Sequence, residues 1–337
     1  MKRRITLALA IVAVLGAAVL AGGAWLREET RRVMRAPIAL EAPVLLRIAP
    51  GTSVTSLARR LEQRGWLPDY RLFVLSARLD DLAHRIQAGT YEILPGDSLA
   101  DFLAAIVAGR TKIFAVRFIE GSRFRDMRAV LAAAPRLRHE LDGLPDAEVL
   151  ARLDIDAASP EGLFFPATYH FEDATRDLDI LARAARRMQE ELSRAWQQRR
   201  EGLPYATPYE ALIMASIIEK ETGRADERAR IGGVFVRRLE RGMKLQTDPT
   251  VIYGLGDAFD GNLRRADLRR DTPYNTYLHR GLPPTPIAMP GAAALAAALD
   301  PAPGSALYFV AKGDGAHHFS DSLGEHNAAV RRYQLGQ

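Results

Sequence analysis

Near the N-terminus, the 22 residues Ile5–Leu26 carry no charged side chain. In helical form, at ~1.5 Å per residue, this run reaches about 33 Å, enough for a hydrocarbon core of ~30 Å. Such a segment decides in which compartment the rest of the chain folds. Lys2, Arg3 and Arg4 stand just before it. Positive flanks stay in the cytoplasm, so residues 1–4 are expected inside, residues 5–26 across the membrane, and the remainder exported. A cleaved signal peptide fits less well. Its apolar region runs to only ~7–15 residues, and Gly22-Gly23-Ala24 makes a weak cleavage site.

The formal net charge is +5. Lys2, Arg3, Arg4, Arg27, Arg31, Arg32 and Arg35, set against Glu28 and Glu29, supply the whole of that excess. The exported part is therefore balanced and offers nucleic acid no electrostatic footprint. The basic flank suits topology and anionic lipid headgroups. The chain has no cysteine, which excludes disulfides, thiolate metal sites and a cysteine nucleophile. About 300 residues remain outside the membrane, enough for two domains.

A short repeat organises the first exported stretch, beyond a linker at residues 27–43. Arg47-Ile48-Ala49-Pro50-Gly51-Thr52-Ser53-Val54 and Glu92-Ile93-Leu94-Pro95-Gly96-Asp97-Ser98-Leu99 each read as strand, glycine turn, polar N-cap and amphipathic helix. Arg117-Phe118-Ile119-Glu120-Gly121-Ser122-Arg123-Phe124 is a fainter third copy. The pattern predicts a small α+β module over residues 44–135, then short connecting helices over 136–160. Leu181, Ala185, Met188, Leu192 and Trp196 keep helical spacing and predict one long amphipathic helix. Near the C-terminus, Leu307–Val310 and His317–Phe319 flank a Gly313-Asp314-Gly315 turn and predict a hairpin. Ser322 and Glu325 predict a capped final helix through Val330 and Tyr333.

Chemistry concentrates in Ile217-Ile218-Glu219-Lys220-Glu221-Thr222-Gly223. Upstream, Thr207-Pro208-Tyr209-Glu210 is a capping box, and Ala211–Ile218 is almost wholly apolar, which predicts a core helix stopped by a left-handed Gly223. A carboxylate ending such a helix faces the negative end of the dipole and partial desolvation. Both raise its pKa, as a general acid for glycosidic bonds requires. Glu221 follows Ile213, Met214, Ile217 and Ile218 on the apolar face, whereas Glu219 lies above Leu212, Ala215 and Ser216. Glu221 is thus the better acid. The competing reading has both glutamates solvated at a fraying helix end.

Other polar residues leave alternatives open. Asp248 is either the second carboxylate of a retaining pair or an N-cap before Pro249, opening a short helix stopped by Gly254. Tyr274-Asn275-Thr276-Tyr277 mixes flat rings with amide and hydroxyl groups, which suits sugars but also suits a turn. His317, Glu325 and His326 invite a zinc reading, yet their spacing matches no ligand motif, so they are read as scaffold.

With these motifs in order, the chain resembles the YceG-like endolytic murein transglycosylases, most closely from about Ala211 to Tyr333. Carrying that resemblance are GRADERARIGGVFVRRLERGMKLQTDPTVIYGLG, DTPYNTYLHRGLPPTPIAMPG and YFVAKGDGAHHFSDSLGEHNAAVRRY. It implies an α+β chain: a single transmembrane helix, a LysM-like module, then a helix-rich lysozyme-like catalytic domain with short strands over 161–337. It implies Glu221 as catalytic acid/base, with Gln246, Asp248, Tyr274, Asn275, Glu219 and His317 binding substrate or supporting the cleft, and His326-Asn327 bracing it. The family carries Asp where this chain has Ala167. The implied activity is cleavage of the β-1,4 bond between N-acetylmuramic acid and N-acetylglucosamine within glycan strands, leaving 1,6-anhydro ends. It needs no cofactor and no metal. The implied partners are peptidoglycan strands, membrane lipid and cell-wall synthases, and the implied location is the inner membrane with a periplasmic catalytic part. Two alternatives stand beside it: a lysozyme-type muramidase using Glu221 and Asp248, and a non-catalytic glycan-binding protein of wall assembly.

Overall fold

The computed structural model describes residues 2–336. Helix α1 (Lys2–Arg35) is long and apolar enough to cross a membrane, as an anchor or a signal sequence. Its Val12, Val19, Leu20 and Trp25 side chains lie exposed. The chain then divides into two compact units after Phe114.

The first unit continues with β1 (Val44–Ile48), α2 (Val54–Gln63), α3 (Tyr70–Leu79), β2 (Gly89–Ile93) and α4 (Leu99–Val107). Strands β1 and β2 pair antiparallel, with Leu46 opposite Tyr91 and Ile48 opposite Gly89. Period-two alternation puts Leu46, Ile48, Tyr91 and Ile93 on one buried face. Leu57 and Leu61 of α2, Phe73 of α3 and Phe102 and Ile106 of α4 cover that face. The first two repeats build this unit. Gly51 and Gly96 turn with φ of 78° and 95°, values that glycine adopts without steric cost. Ser53 then caps α2, and Ser98 with Asp101 forms a reciprocal box on α4.

Two expectations are corrected. Residues 27–43 are not a simple linker. Helix α1 runs through Arg35, and Thr30, Met34 and Ile38 are buried because this stretch supplies apolar surface to the first core. The module also does not extend to residue 135. The third repeat, β3 (Ile113–Arg117) and α5 (Phe124–Ala132), pairs and packs with later residues instead: β3 joins β4 (Thr168–Glu172), and Phe124 stacks on Phe164 at 5.1 Å.

The second unit adds α6 (Asp146–Arg152), α7 (Asp177–Gln197), α8 (Pro208–Glu221), α9 (Arg228–Glu240), α10 (Asp248–Leu255), α11 (Ala292–Leu299), the hairpin β5 (Tyr308–Ala311) and β6 (His317–Ser320), and α12 (Leu323–Gln334). Among the described residues the fold is thus mixed α+β, with twelve α-helices and three two-stranded sheets. Helix α8 forms the centre, with every residue from Ala211 to Ile218 buried. Thr207 caps it by accepting from the Glu210 N–H, and Pro208 occupies its first turn. Helix α9 meets α11 and the segment after it through two glycines. A Cβ on Gly232 would fall 2.4 Å from the Ala297 carbonyl, and one on Gly233 2.4 Å from that of Ala302. That close approach lets α9 lie against α11, which also packs on α8.

Candidate active site

Glu221 is the last residue of α8. The chain leaves the helix through an extended Thr222 (φ −148°, ψ 136°), not through a left-handed Gly223 as expected. Thr222 is buried, and its hydroxyl accepts the Arg224 N–H, which turns the backbone sharply after the carboxylate. Glu221 opens into a cleft of about 530 Å³, walled by the Leu245–Asp248 segment, Tyr277, the β5–β6 hairpin and one face of α12.

The carboxyl accepts a hydrogen bond from the Thr247 hydroxyl. Burial pushes its pKa up to about 7, and nearby Asp248 adds to the rise; the Thr247 bond and the Arg238 cation oppose it. The group therefore titrates where a proton can be both given and taken near neutrality.

Arg238 on α9 is buried, and burial holds its pKa below the usual guanidinium range. Its guanidinium donates to the Leu307 carbonyl at 2.6 Å and the Leu245 carbonyl at 2.8 Å, tying the hairpin to the segment before α10. It also lies 5.0 Å from the Tyr308 ring centroid, and His326 stacks on that ring at 5.2 Å. Burial and then Arg238 lower the pKa of His326, which favours its neutral form. His317 lines the cleft and is braced by Glu227, which accepts from its backbone N–H at 3.0 Å and contacts its Nδ1 at 2.7 Å. Burial alone would raise Glu227, but those two bonds together with the charges of His317 and Arg224 leave the carboxyl below its ordinary value.

The residues singled out in the sequence fall into two groups. Gln246, Asp248 and His317 share the cleft with Glu221. Gln246 holds a left-handed backbone (φ 52°), uncommon for a non-glycine residue, and donates its N–H to the Thr276 carbonyl. Asp248 accepts from the Tyr277 hydroxyl at 2.6 Å. It is not the N-cap of α10; Thr247 occupies that position, and the helix stops at Gly256 (φ 56°) rather than Gly254.

Glu219, Tyr274 and Asn275 do not line the cleft. Glu219 accepts the Gly291 N–H at 2.9 Å and pairs with Arg228 at 3.5 Å. Tyr274 bonds Thr285 and packs edge-on against Tyr253. Asn275 is fully buried, and its amide serves the carbonyls of Leu268 and Arg270 and the N–H of Tyr277, so the expected sugar contact is corrected to loop structure. Sequence reasoning missed Thr247, Arg238 and Glu227. One signal for Arg238 was available: it sits four residues after Val234 and three after Phe235, on an otherwise apolar face.

Comparison with known proteins places this geometry in context. The model of the YceG-like family matches residues 46–332. The chain belongs to the YceG-like family. Over 307 residues this YceG-like chain is 31% identical to the endolytic murein transglycosylase of Bacillus subtilis (strain 168), covering 86% of itself and 84% of that protein. It is 28% identical over 218 residues to the endolytic murein transglycosylase of Streptococcus pneumoniae serotype 2 (strain D39 / NCTC 7466), covering 63% of itself and 38% of that longer protein. A crystal structure of a yceG-like protein from Listeria monocytogenes superposes with a TM-score of 0.52 at 28% identity, covering 85% of this YceG-like chain and 98% of that one.

Proposed function

We propose that this YceG-like chain is a membrane-anchored endolytic transglycosylase of peptidoglycan, with Glu221 as its acid and base. One observation carries the reading: the Glu221 carboxyl, raised to about 7, opens into a cleft of about 530 Å³ lined by polar side chains. Protonated Glu221 gives its proton to the glycosidic oxygen between N-acetylmuramic acid and N-acetylglucosamine. The C1–O bond breaks, and its electron pair stays on the departing oxygen. Glu221, now a carboxylate, takes the proton of the muramyl C6 hydroxyl, whose oxygen bonds C1 and closes the 1,6-anhydro ring. One group performs both transfers, and no water is consumed. Gln246 and His317 line the path of the glycan, while Arg238 and Tyr308 hold that wall rigid.

The N-terminus lies in the cytoplasm and the two units in the periplasm, as the basic residues before the apolar run imply. The β-α-α-β arrangement of the first unit suits a LysM-like module that engages N-acetylated glycan or spaces the catalytic unit from the membrane. Mass spectrometry of products from purified glycan strands tests the reaction. Anhydro ends, with no water added, are expected. Reducing ends carrying an added water would establish a muramidase instead, with Asp248 as the second carboxylate. Binding without cleavage would leave a glycan-binding protein.

A further inference from the structure

Threonine at a helix N-cap ordinarily turns its hydroxyl back onto the N–H groups of the first turn. Thr247 stands at the N-cap of α10 and makes no such bond. Its hydroxyl points the other way and donates to Oε1 of Glu221, 26 residues earlier in the chain. A residue present only to start α10 would keep its hydroxyl for that helix.

Thr247 is held in this orientation from behind. Its N–H donates to the Thr276 hydroxyl at 3.1 Å, and its carbonyl accepts from the Thr250 hydroxyl at 2.8 Å. The Thr276 and Thr250 hydroxyls meet at 2.8 Å. All three threonines are buried, at 2%, 0% and 2% exposure for Thr247, Thr250 and Thr276. This closed ring satisfies the backbone of Thr247 without using its side chain, which leaves that hydroxyl free for the carboxyl.

We infer that Thr247 is a positioning residue for Glu221: its hydroxyl fixes Oε1, so that Oε2 is the oxygen that delivers and retrieves the proton. This rests on Glu221 being the acid and base of the proposed reaction. A carboxyl free to rotate about its last torsion would present either oxygen at varied angles. A fixed one presents a single oxygen in every turnover, which preserves alignment between the two transfers. The other charged or titratable groups coupled to Glu221 are Asp248 of α10, Arg238 of α9 and Tyr277, and all three are retained in the variants at Thr247.

The test uses the full-length protein in detergent with soluble glycan strands. It compares Thr247→Val, Thr247→Ala and Thr247→Ser by kcat, KM and the pH dependence of kcat. Thr247→Val should lower kcat about ten- to a hundredfold while KM moves less than about twofold. The alkaline limb of its pH profile should move upward, because a donor favouring the carboxylate is gone. Thr247→Ser should return kcat to within about threefold of the parent. If Thr247→Val melts before assay, Thr247→Ala carries the same comparison with serine. A Val or Ala variant with parental kcat and an unmoved limb overturns the inference. So does a folded serine variant as slow as valine, which would assign the effect to the methyl group. Product mass keeps the two readings apart. Water in the products refutes transglycosylation while the rates still judge Thr247; anhydro ends with an indifferent Thr247→Val refute only the positioning role.

Discussion

The end of α8 holds a half-buried glutamate and the start of α5 contacts a buried one, and desolvation has pushed the pKa of each up to about 7. Around them the structure differs. Glu161 is 7% exposed, and both its oxygens accept the N–H of Phe124, the first residue of α5. It serves as a cap from a distant segment, a carboxyl placed at the positive end of a helix. Glu221 ends a helix at the negative pole of its dipole, accepts one hydroxyl, and faces open space large enough for sugar. The same displacement of pKa therefore arises at a structural cap and at a site suited to catalysis. Access and unused hydrogen-bonding capacity separate the two, not the shift itself.

The largest expected effect exploits that separation. Glu221→Gln keeps shape and burial but cannot cycle a proton, and a positioned acid/base contributes ~10²–10⁴-fold. Because the proposed reaction uses Glu221 for both transfers, cleavage should fall toward the upper end of that range, with glycan binding retained. Glu161→Gln, which can still accept from Phe124, should cleave within about threefold of the parent. Initial rates on glycan strands check both. Should Glu161→Gln be the dead variant, the comparison collapses and the cleft around Glu221 is not the reacting site.

The second expectation concerns stability, where the two glutamates should behave alike. Each folded-state value, about 7, lies above the ordinary 4.5. The native state thus holds extra protons between those values, and stability falls as pH rises through the window. The parent should be most favoured, relative to either Gln variant, below the ordinary value. It should lose up to about 3 kcal/mol against each variant as pH passes the raised one. Urea midpoints measured on both sides of the window check this. Curves for Glu161→Gln that stay parallel to the parent would mean that Glu161 is not buried as an acid. Glu221→Gln should then be more stable above neutrality while inactive, and Glu161→Gln more stable while active.

Much of this site was legible in local sequence because its elements announce themselves locally. Thr207-Pro208 starts α8, the apolar run keeps it central, and Ser322 with Glu325 caps α12. Helical spacing alone put Glu221 and Glu219 on different faces. What stayed hidden depends on pairs remote in sequence. Arg238 meets Leu307 across 69 residues and Glu227 meets His317 across 90, so no local pattern marks either. Thr247 and Asp248 are adjacent potential caps, and only the packed structure shows that the first holds the cap position and turns its hydroxyl elsewhere. Asn275 misled for the converse reason: an amide suited to sugar is equally suited to its own loop, and burial decides.

The smallest expected effect belongs to Glu219, two residues from Glu221. Its carboxyl holds the Gly291 N–H and pairs with Arg228, so it ties α8 to the segment before α11 and to the start of α9. Burial raises its pKa first, and Glu120 adds to the rise, against the Gly291 bond and Arg228. Glu219→Gln can still accept from Gly291 and gives up only the ionic part of the Arg228 contact. The loss should be offset by removing a partly desolvated charge, leaving a net change of about 1 kcal/mol or less. Because Glu219 does not line the cleft, cleavage should stay within about threefold of the parent. Rates and urea midpoints taken on one preparation separate the two effects. A folded Glu219→Gln protein that loses a hundredfold in rate would mean that the proton path runs through both carboxyls, and the single-residue mechanism at Glu221 would have to be abandoned.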